Sequence, residues 1–502
     1  MTLRRVRPWI QGLSFALFLA LLIAANAGRG PVPDLFFRLD PLVGITSALA
    51  GRTLIPAMGL GLVTLALTVT LGRAWCGWIC PLGTLLDWMP SRKANLSELD
   101  PGPRWRRVKY TLLFAILVMA LLGWQTLVLL DPITLIYRTT TTAVWPAVVW
   151  LINGTEGLLY PLRPFRGPIS AFEQLVRGKI LPVEPIVYRL NVAVMLLFAA
   201  VLALNAVRTR FWCRYLCPLG ALLGLVSKVA WMRRVVGEQC IACHRCARAC
   251  PMGTIDPGRG HASDPAECTM CLDCIPTCPT TDQTFRGHWA LAPWQRYDPT
   301  RRHVLTTAGA TIAAVGFLGS EARHVRPHPY LIRPPGAQDP GFESRCIRCG
   351  VCVRVCPTGG LQPSLTEAGW SGLMTPILVP RMGYCDYSCN ACGQACPVGA
   401  IPPLALEEKR TVVIGRAYID RSRCIPWVDA HNCIVCEEMC PIPDKAIQLE
   451  EVDVWAPDGQ QATVKRPHVI AERCIGCGIC ENHCPLNGEA AIRVRLATEF
   501  QG

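Results

Sequence analysis

Histidine is missing from the first half of this chain: none precedes His244. Charge is scarce as well, at 17% of 502 residues against 51% apolar ones. The two shortages exclude different things. A membrane b-type haem needs axial ligands inside a helical bundle, usually histidine, so no haem is expected there, and no c-type attachment site either. Few charges together with a positive mean hydropathy argue against a wholly soluble enzyme and toward a membrane. At this length several domains are expected.

What the first half does contain is apolar sequence. Four long runs lie at about 10–27, 54–72, 110–130 and 190–207. Each approaches the ~20 residues a helix needs to cross ~30 Å of hydrocarbon. A weaker run, 303–319, is rich in Ala, Gly and Thr. Trp75, Trp78, Trp88, Trp124, Trp150 and Trp212 crowd the run ends, as interfacial belts do. Arg4, Arg5 and Arg7 precede the first run. Arg73, Arg92, Lys93, Arg104, Arg106, Arg107 and Lys109 lie between the second and third. Positive charge stays inside, so both stretches are expected in the cytoplasm, with 28–53 and 131–189 in the periplasm and the chain back in the cytoplasm after 208. Ala25-Asn26-Ala27 resembles a signal-peptidase site, but the first run is expected to be retained.

The first half is a duplication. Residues 75–86 read WCGWICPLGTLL and residues 212–223 read WCRYLCPLGALL, and Leu39-Asp40-Pro41-Leu42 is matched by Leu130-Asp131-Pro132-Ile133. Two copies in one orientation put both Cys-x3-Cys-Pro pairs at the cytoplasmic face.

Cysteine reaches 28, and every one has a place. Four quartets follow C-x2-C-x2-C-x3-C-P: Cys240, Cys243, Cys246 and Cys250; Cys268, Cys271, Cys274 and Cys278; Cys346, Cys349, Cys352 and Cys356; Cys474, Cys477, Cys480 and Cys484. Two are variants with a longer first gap: Cys385, Cys389, Cys392 and Cys396; Cys424, Cys433, Cys436 and Cys440. Three thiolates two residues apart wrap one corner of a [4Fe–4S] cubane, while the fourth, followed by a chain-turning proline, points to a neighbouring cluster. Quartets therefore work in pairs, and six clusters are expected. Zinc prefers separated C-x2-C knuckles. In the first pair, Cys240, Cys243 and Cys246 are expected to join Cys278, and Cys268, Cys271 and Cys274 to join Cys250. The net charge of +14 does not then call for nucleic acid: the count omits the clusters, and six at about −2 each would offset most of it.

Cys76, Cys80, Cys213 and Cys217 are left over. They read as a seventh iron–sulfur centre shared by the two copies, as a redox-active thiol set, or as structural residues. Asp40 and Asp131 read either as acceptors of protons released on quinol oxidation or as helix caps with Pro at the first position. Glu156 and Glu173 are weaker acceptor candidates. Thr300-Arg301-Arg302-His303-Val304-Leu305 matches the twin-arginine export pattern, which suits a domain whose clusters are inserted before it crosses the membrane.

The first ~285 residues resemble the NapH type of polytopic iron–sulfur protein: four spans, two Cys-x3-Cys-Pro motifs, two ferredoxin quartets. The remainder is similar to the NapG/MauM type of exported ferredoxin, by its twin-arginine leader, Arg333-Pro334-Pro335-Gly336-Ala337 before the first quartet and the Cys424-Ile425-Pro426-Trp427 opening of the third. The expected fold is an α-helical membrane bundle of four spans plus one linking span, with α+β ferredoxin-like [4Fe–4S] domains on both sides. Its parts are 1–235 (duplicated membrane domain), 236–300 (cytoplasmic two-cluster domain), 301–322 (linking span) and 323–502 (periplasmic four-cluster domain).

The resemblance implies a quinol dehydrogenase subunit of the bacterial inner membrane, feeding electrons to a periplasmic oxidoreductase or cytochrome subunit within a multi-subunit complex. Flow in reverse into quinone, or electron supply for metalloenzyme maturation, are the alternatives. Resemblance to four-cluster subunits of molybdenum oxidoreductases further implies nested pairing: Cys346, Cys349 and Cys352 with Cys484; Cys474, Cys477 and Cys480 with Cys356; Cys385, Cys389 and Cys392 with Cys440; Cys424, Cys433 and Cys436 with Cys396.

Overall fold

The computed structural model describes residues 2–25, 34–89, 105–178, 180–182, 185–281, 283–287, 301–324, 328–455 and 461–497. Asn26 and Ala27 of the cleavage-like motif, Arg92, Lys93, Arg104 and Thr300 lie outside them. Two compact units result, one of Met1–Ile23, Val32–Thr140 and Val192–Leu318, the other of Ala24–Pro31, Thr141–Asn191 and Gly319–Gly502.

In the first unit the duplication is visible as paired helix starts. Asp40 caps the helix Pro41–Gly51, its Oδ1 accepting from the Leu42 and Val43 amides; Asp131 caps Pro132–Thr139 through the Ile133 and Thr134 amides. Cys80 and Cys217 stand in the same position before Pro81–Trp88 and Pro218–Val226. In all four, proline at the first helical position gives up an amide that would have had no helical partner, and its fixed φ suits the start.

The apolar runs form helices of unequal length. Thr2–Ala24 contains the one segment among the described residues long and apolar enough to cross a membrane, Arg4–Ala24. Pro56–Leu71 and Asn191–Val207 are shorter; the latter, at 17 residues, rises about 25 Å. The expected single run 110–130 is broken: Arg106–Leu121 stops, Gly123 turns with φ +83°, and Thr126–Leu130 resumes as a 3-10 turn. A glycine at positive φ ends a helix with little strain. The run 303–319 lies in the helix Arg301–His324, apolar over Val304–Phe317.

Two residues assigned to the interfacial belt belong elsewhere. Trp75 and Trp212 are 3% and 5% exposed, packed inside the unit beside the first cysteine of each Cys-x3-Cys-Pro turn. Trp88 and Trp150 are exposed as expected.

A small lobe, 232–287, completes the first unit. Met232–Val236 pairs antiparallel with Gln283–Gly287, and Ile255–Asp256 with Ala262–Ser263. It sits on part of the arginine-rich stretch that the charge pattern places in the cytoplasm, and three of that stretch's cations are not solvated. Arg73, Arg106 and Lys109 are buried. Arg106 Nη2 donates to the Met252 and Gly253 carbonyls at 2.7 and 2.8 Å, and Trp78 Nε1 to Met270 O at 2.9 Å. Near the N-terminus, Arg4 and Arg7 pair with Asp273.

The docking is tight at Gly77, where an added Cβ would lie 2.2 Å from Thr269 O, a backbone atom. Gly77→Ala is accordingly expected to destabilise the lobe by about 1–3 kcal/mol, as overpacking does. Limited proteolysis of the 232–287 region would show it as faster cleavage, and an unchanged rate would contradict the packing.

In the second unit the helices Trp145–Leu159 and Arg163–Val176 and the irregular stretch 185–190 accompany residues 328–455 and 461–497. The Arg354 guanidinium lies 4.3 Å from the Trp145 ring centre. Gln362 Nε2 donates to Val187 O at 3.1 Å and its Oε1 accepts from the Arg189 amide at 3.2 Å, so one side chain replaces a ladder partner. Arg189 and Glu367 close the contact at 2.7 Å. Three antiparallel pairs organise the remainder: Leu361–Pro363 with Pro376–Leu378, Arg416–Ile419 with Ile492–Arg495, and Ile447–Trp455 with Gln461–Val469.

Candidate iron–sulfur sites

In each of the four C-x2-C-x2-C quartets the residues two and four places after the first cysteine have positive φ: Ala242 and His244, Met270 and Leu272, Arg348 and Gly350, Gly476 and Gly478. Left-handed backbone at alternate positions curls the chain around a point, so that three side chains converge. Five of the eight are not glycine, and each such residue costs about 1–2 kcal/mol. Strain repeated at the same place in four loops marks an arrangement held for a ligand.

Among the described residues of the second unit lie four pockets, partly open to solvent, each ringed by four cysteines and apolar side chains. Cys424, Cys433 and Cys436 share the first with Cys484. Cys385, Cys389 and Cys392 share the second with Cys356. The third holds Cys474, Cys477 and Cys480 with Cys440, and the fourth Cys346, Cys349 and Cys352 with Cys396.

This overturns the nested pairing. Neighbouring quartets exchange their fourth cysteines, first with second and third with fourth. The cause is local. The pair Leu361–Pro363/Pro376–Leu378 folds the chain between the first two quartets, and Ile447–Trp455/Gln461–Val469 does so between the last two. Short closures cost less entropy than the ~130-residue closure nesting requires.

In the 232–287 lobe Cys250 lies close enough to Cys268, Cys271 and Cys274 to act on each electrostatically, the pairing expected. Cys246 is buried with Cys274 and Ile255, and its helix Arg245–Ala249 packs on the turn Ile275–Thr277 that leads into Cys278.

The donor set fits [4Fe–4S] clusters. Among the described residues no three Cys, His, Asp or Glu side chains converge tightly enough for a single metal ion, so zinc does not suit; the thiols stand off around a space. Burial, then the charge of neighbouring cysteines, pushes Cys436 and Cys477 up to about 12. Four thiolates are tenable there only around a cation. Backbone amides already point at sulfur: Ala417 N at Cys474, Ala446 N at Cys440 and Thr254 N at Cys250, at 3.3, 3.3 and 3.4 Å.

Cys76, Cys80, Cys213 and Cys217 are brought together in the first unit, all buried. Asp40 and Asp131 also meet. Both are fully buried and both cap, and burial, then the charge of Asp131, raises the Asp40 carboxyl well above its ordinary value. Glu156 and Glu173 are both paired with Arg177.

Cys240-Ile241-Ala242-Cys243-His244 does read C-x2-C-H, the haem-attachment spacing, against the expectation of none. Here those cysteines open a complete quartet, and His244 Nδ1 lies 3.0 Å from His261 Nε2. Sequence reasoning also missed Glu267, a buried carboxylate against Arg73, Lys109 and Tyr110, and Asp87, held by Arg7 and Arg210. A longer repeat would have pointed to part of this: Arg73 and Arg210 both stand three residues before the first cysteine.

A family profile described as a 4Fe-4S binding domain matches residues 53–97 and 190–237, and another of the same description matches 342–362 and 467–487. The methylamine utilization ferredoxin-type protein MauM of Methylorubrum extorquens is 35% identical over 208 residues, 39% of this chain and 89% of that protein. The ferredoxin-type protein NapG of Escherichia coli is 36% identical over 200 residues, 38% of this chain and 82% of that one. The putative electron transport protein YccM of Escherichia coli is 27% identical over 230 residues, 44% and 53%. No solved structure matches.

Proposed function

The chain belongs to the family of ferredoxin-type iron–sulfur proteins that includes MauM and NapG, and on that footing we propose that it is a membrane-anchored conduit carrying electrons from quinol through six [4Fe–4S] clusters to a periplasmic redox enzyme. The observation that carries this reading is the set of four pockets in the second unit, each ringed by three cysteines of one quartet and the fourth of its neighbour.

In this reading residues 1–285 are a NapH-type module fused to a NapG/MauM-type module. The helices Thr2–Ala24, Pro56–Leu71, Arg106–Leu121 with its continuation to Leu130, and Asn191–Val207 are the spans, the shorter ones met by local thinning of the bilayer. Each cluster, when bound, supplies one-electron storage. The chain ligates with four thiols, excludes water with apolar walls and tunes the potential with amide donors to sulfur. Asp40 and Asp131, two buried capping carboxyls that feel one another's charge, are the acceptors for quinol protons. The terminal reaction belongs to a partner.

The test is anaerobic addition of a quinol to the purified chain, followed by low-temperature EPR. Reduced-cluster signals that a quinol-site inhibitor abolishes are expected. Asp131→Asn, which keeps both cap and size, is expected to slow their appearance about 100-fold; an unchanged rate leaves those residues as caps. Reduction by dithionite but not by quinol would reverse the direction of flow.

A further inference from the structure

The two Cys-x3-Cys-Pro turns face each other through a reciprocal exchange of arginines. Arg210, three residues before Cys213, crosses to the first turn, where its Nη1 donates to Cys76 O at 3.0 Å and its Nη2 to Gly83 O at 3.3 Å. Arg73, three residues before Cys76, crosses the other way: its Nη2 stands 2.7 Å from where a Cβ on Gly220 would be, beside Cys217 Sγ. Gly83 and Gly220 hold equivalent places in the two copies. The Gly220 amide also donates to the sulfur at the start of its own helix, Cys217, at 3.2 Å, and Cys80 stands in the equivalent place before Pro81–Trp88. The result is four buried sulfurs, two from each copy, with helix N-terminal amides and two guanidinium groups around them.

One of those guanidinium groups is incomplete. Arg73 is fully buried, and while Nη1 donates to Ala266 O and Glu267, neither Nε nor Nη2 has an acceptor. Leaving charged donors buried and unmatched costs more than an ordinary hydrogen bond is worth. An anionic group between the copies would supply what they lack.

We propose that Cys76, Cys80, Cys213 and Cys217 together hold a single iron–sulfur cluster, two thiolates from each copy, with Arg73 and Arg210 balancing its charge. A cluster with four thiolates carries about −2; Arg210 is shared with Asp87, while Arg73, Lys109 and Arg106 face the single carboxylate of Glu267 and leave positive charge in excess beside the site. Zinc is disfavoured, because no three of these side chains approach closely enough for one ion. The site abuts the Cys268–Cys271 loop: Gly77 lies against Thr269, and Arg7 donates to both Gly77 O and Cys271 O. It therefore adds a redox centre next to the cluster of Cys268, Cys271 and Cys274, whichever way electrons flow.

The experiment compares the anaerobically purified full chain with the Cys76→Ser/Cys213→Ser double variant by iron and zinc analysis and Mössbauer spectroscopy. Loss of about four iron atoms and one iron–sulfur component is expected, with the other clusters retained. An unchanged iron content and spectrum would overturn the proposal. If the double variant does not accumulate, the wild type decides. About 28 iron atoms per chain support the shared cluster; about 24, or one zinc, remove it. These readouts need no quinol, so they stand apart from the quinol experiment.

Discussion

Glu267→Gln is expected to destabilise the first unit by about 3–5 kcal/mol, the cost of breaking a buried ion pair from one side. Glu267 Oε2 accepts from Arg73 Nη1 at 3.1 Å and Lys109 Nζ at 2.5 Å, with Arg106 at 3.8 Å; Oε1 accepts from Tyr110 at 3.0 Å. Burial alone would raise its pKa, but Lys109, Arg73 and Arg106 hold it down to about 2. Glutamine fills the same space and leaves three buried cations facing a neutral amide. Thermal unfolding in detergent, followed by cluster absorbance, measures the loss. A shift equivalent to less than about 1 kcal/mol would mean the cations are solvated.

The second large effect concerns the exchanged cysteines. Cys396→Ser is expected to disturb or remove the centre of Cys346, Cys349 and Cys352, and Cys484→Ser that of Cys424, Cys433 and Cys436. Serine replaces a soft thiolate with a hydroxyl that is a far poorer ligand for iron. EPR of the reduced variants separates the outcomes, since each should lack one component out of the set. Loss of the Cys346 centre in Cys484→Ser would restore the nested pairing and contradict the cavities, where Cys484 lies with Cys424.

Both expectations hang on contacts far apart in the chain, and that divides what was legible from what was not. Capping is local: Asp40-Pro41 and Asp131-Pro132 start helices because the cap and the proline act within three residues. Quartet spacing is local too, and it named every cysteine that lines a cavity. The duplication showed in two dozen letters, and with it the four cysteines that the fold brings together.

Tertiary structure alone decided which fourth cysteine joins which three, because spacing says that a thiol points outward and not where it arrives. The break at Gly123 reflects a turn that a run of apolar letters conceals. Trp75 and Trp212 look interfacial by composition, yet their place beside the cysteine turns makes them core. Arg73 and Lys109 look like solvated positive charge until Glu267, over 150 positions away, is folded against them. Sequence carries the chemistry of each group and its reach along the chain; a partner's identity is a long-range choice, made by the packing that brings the two together.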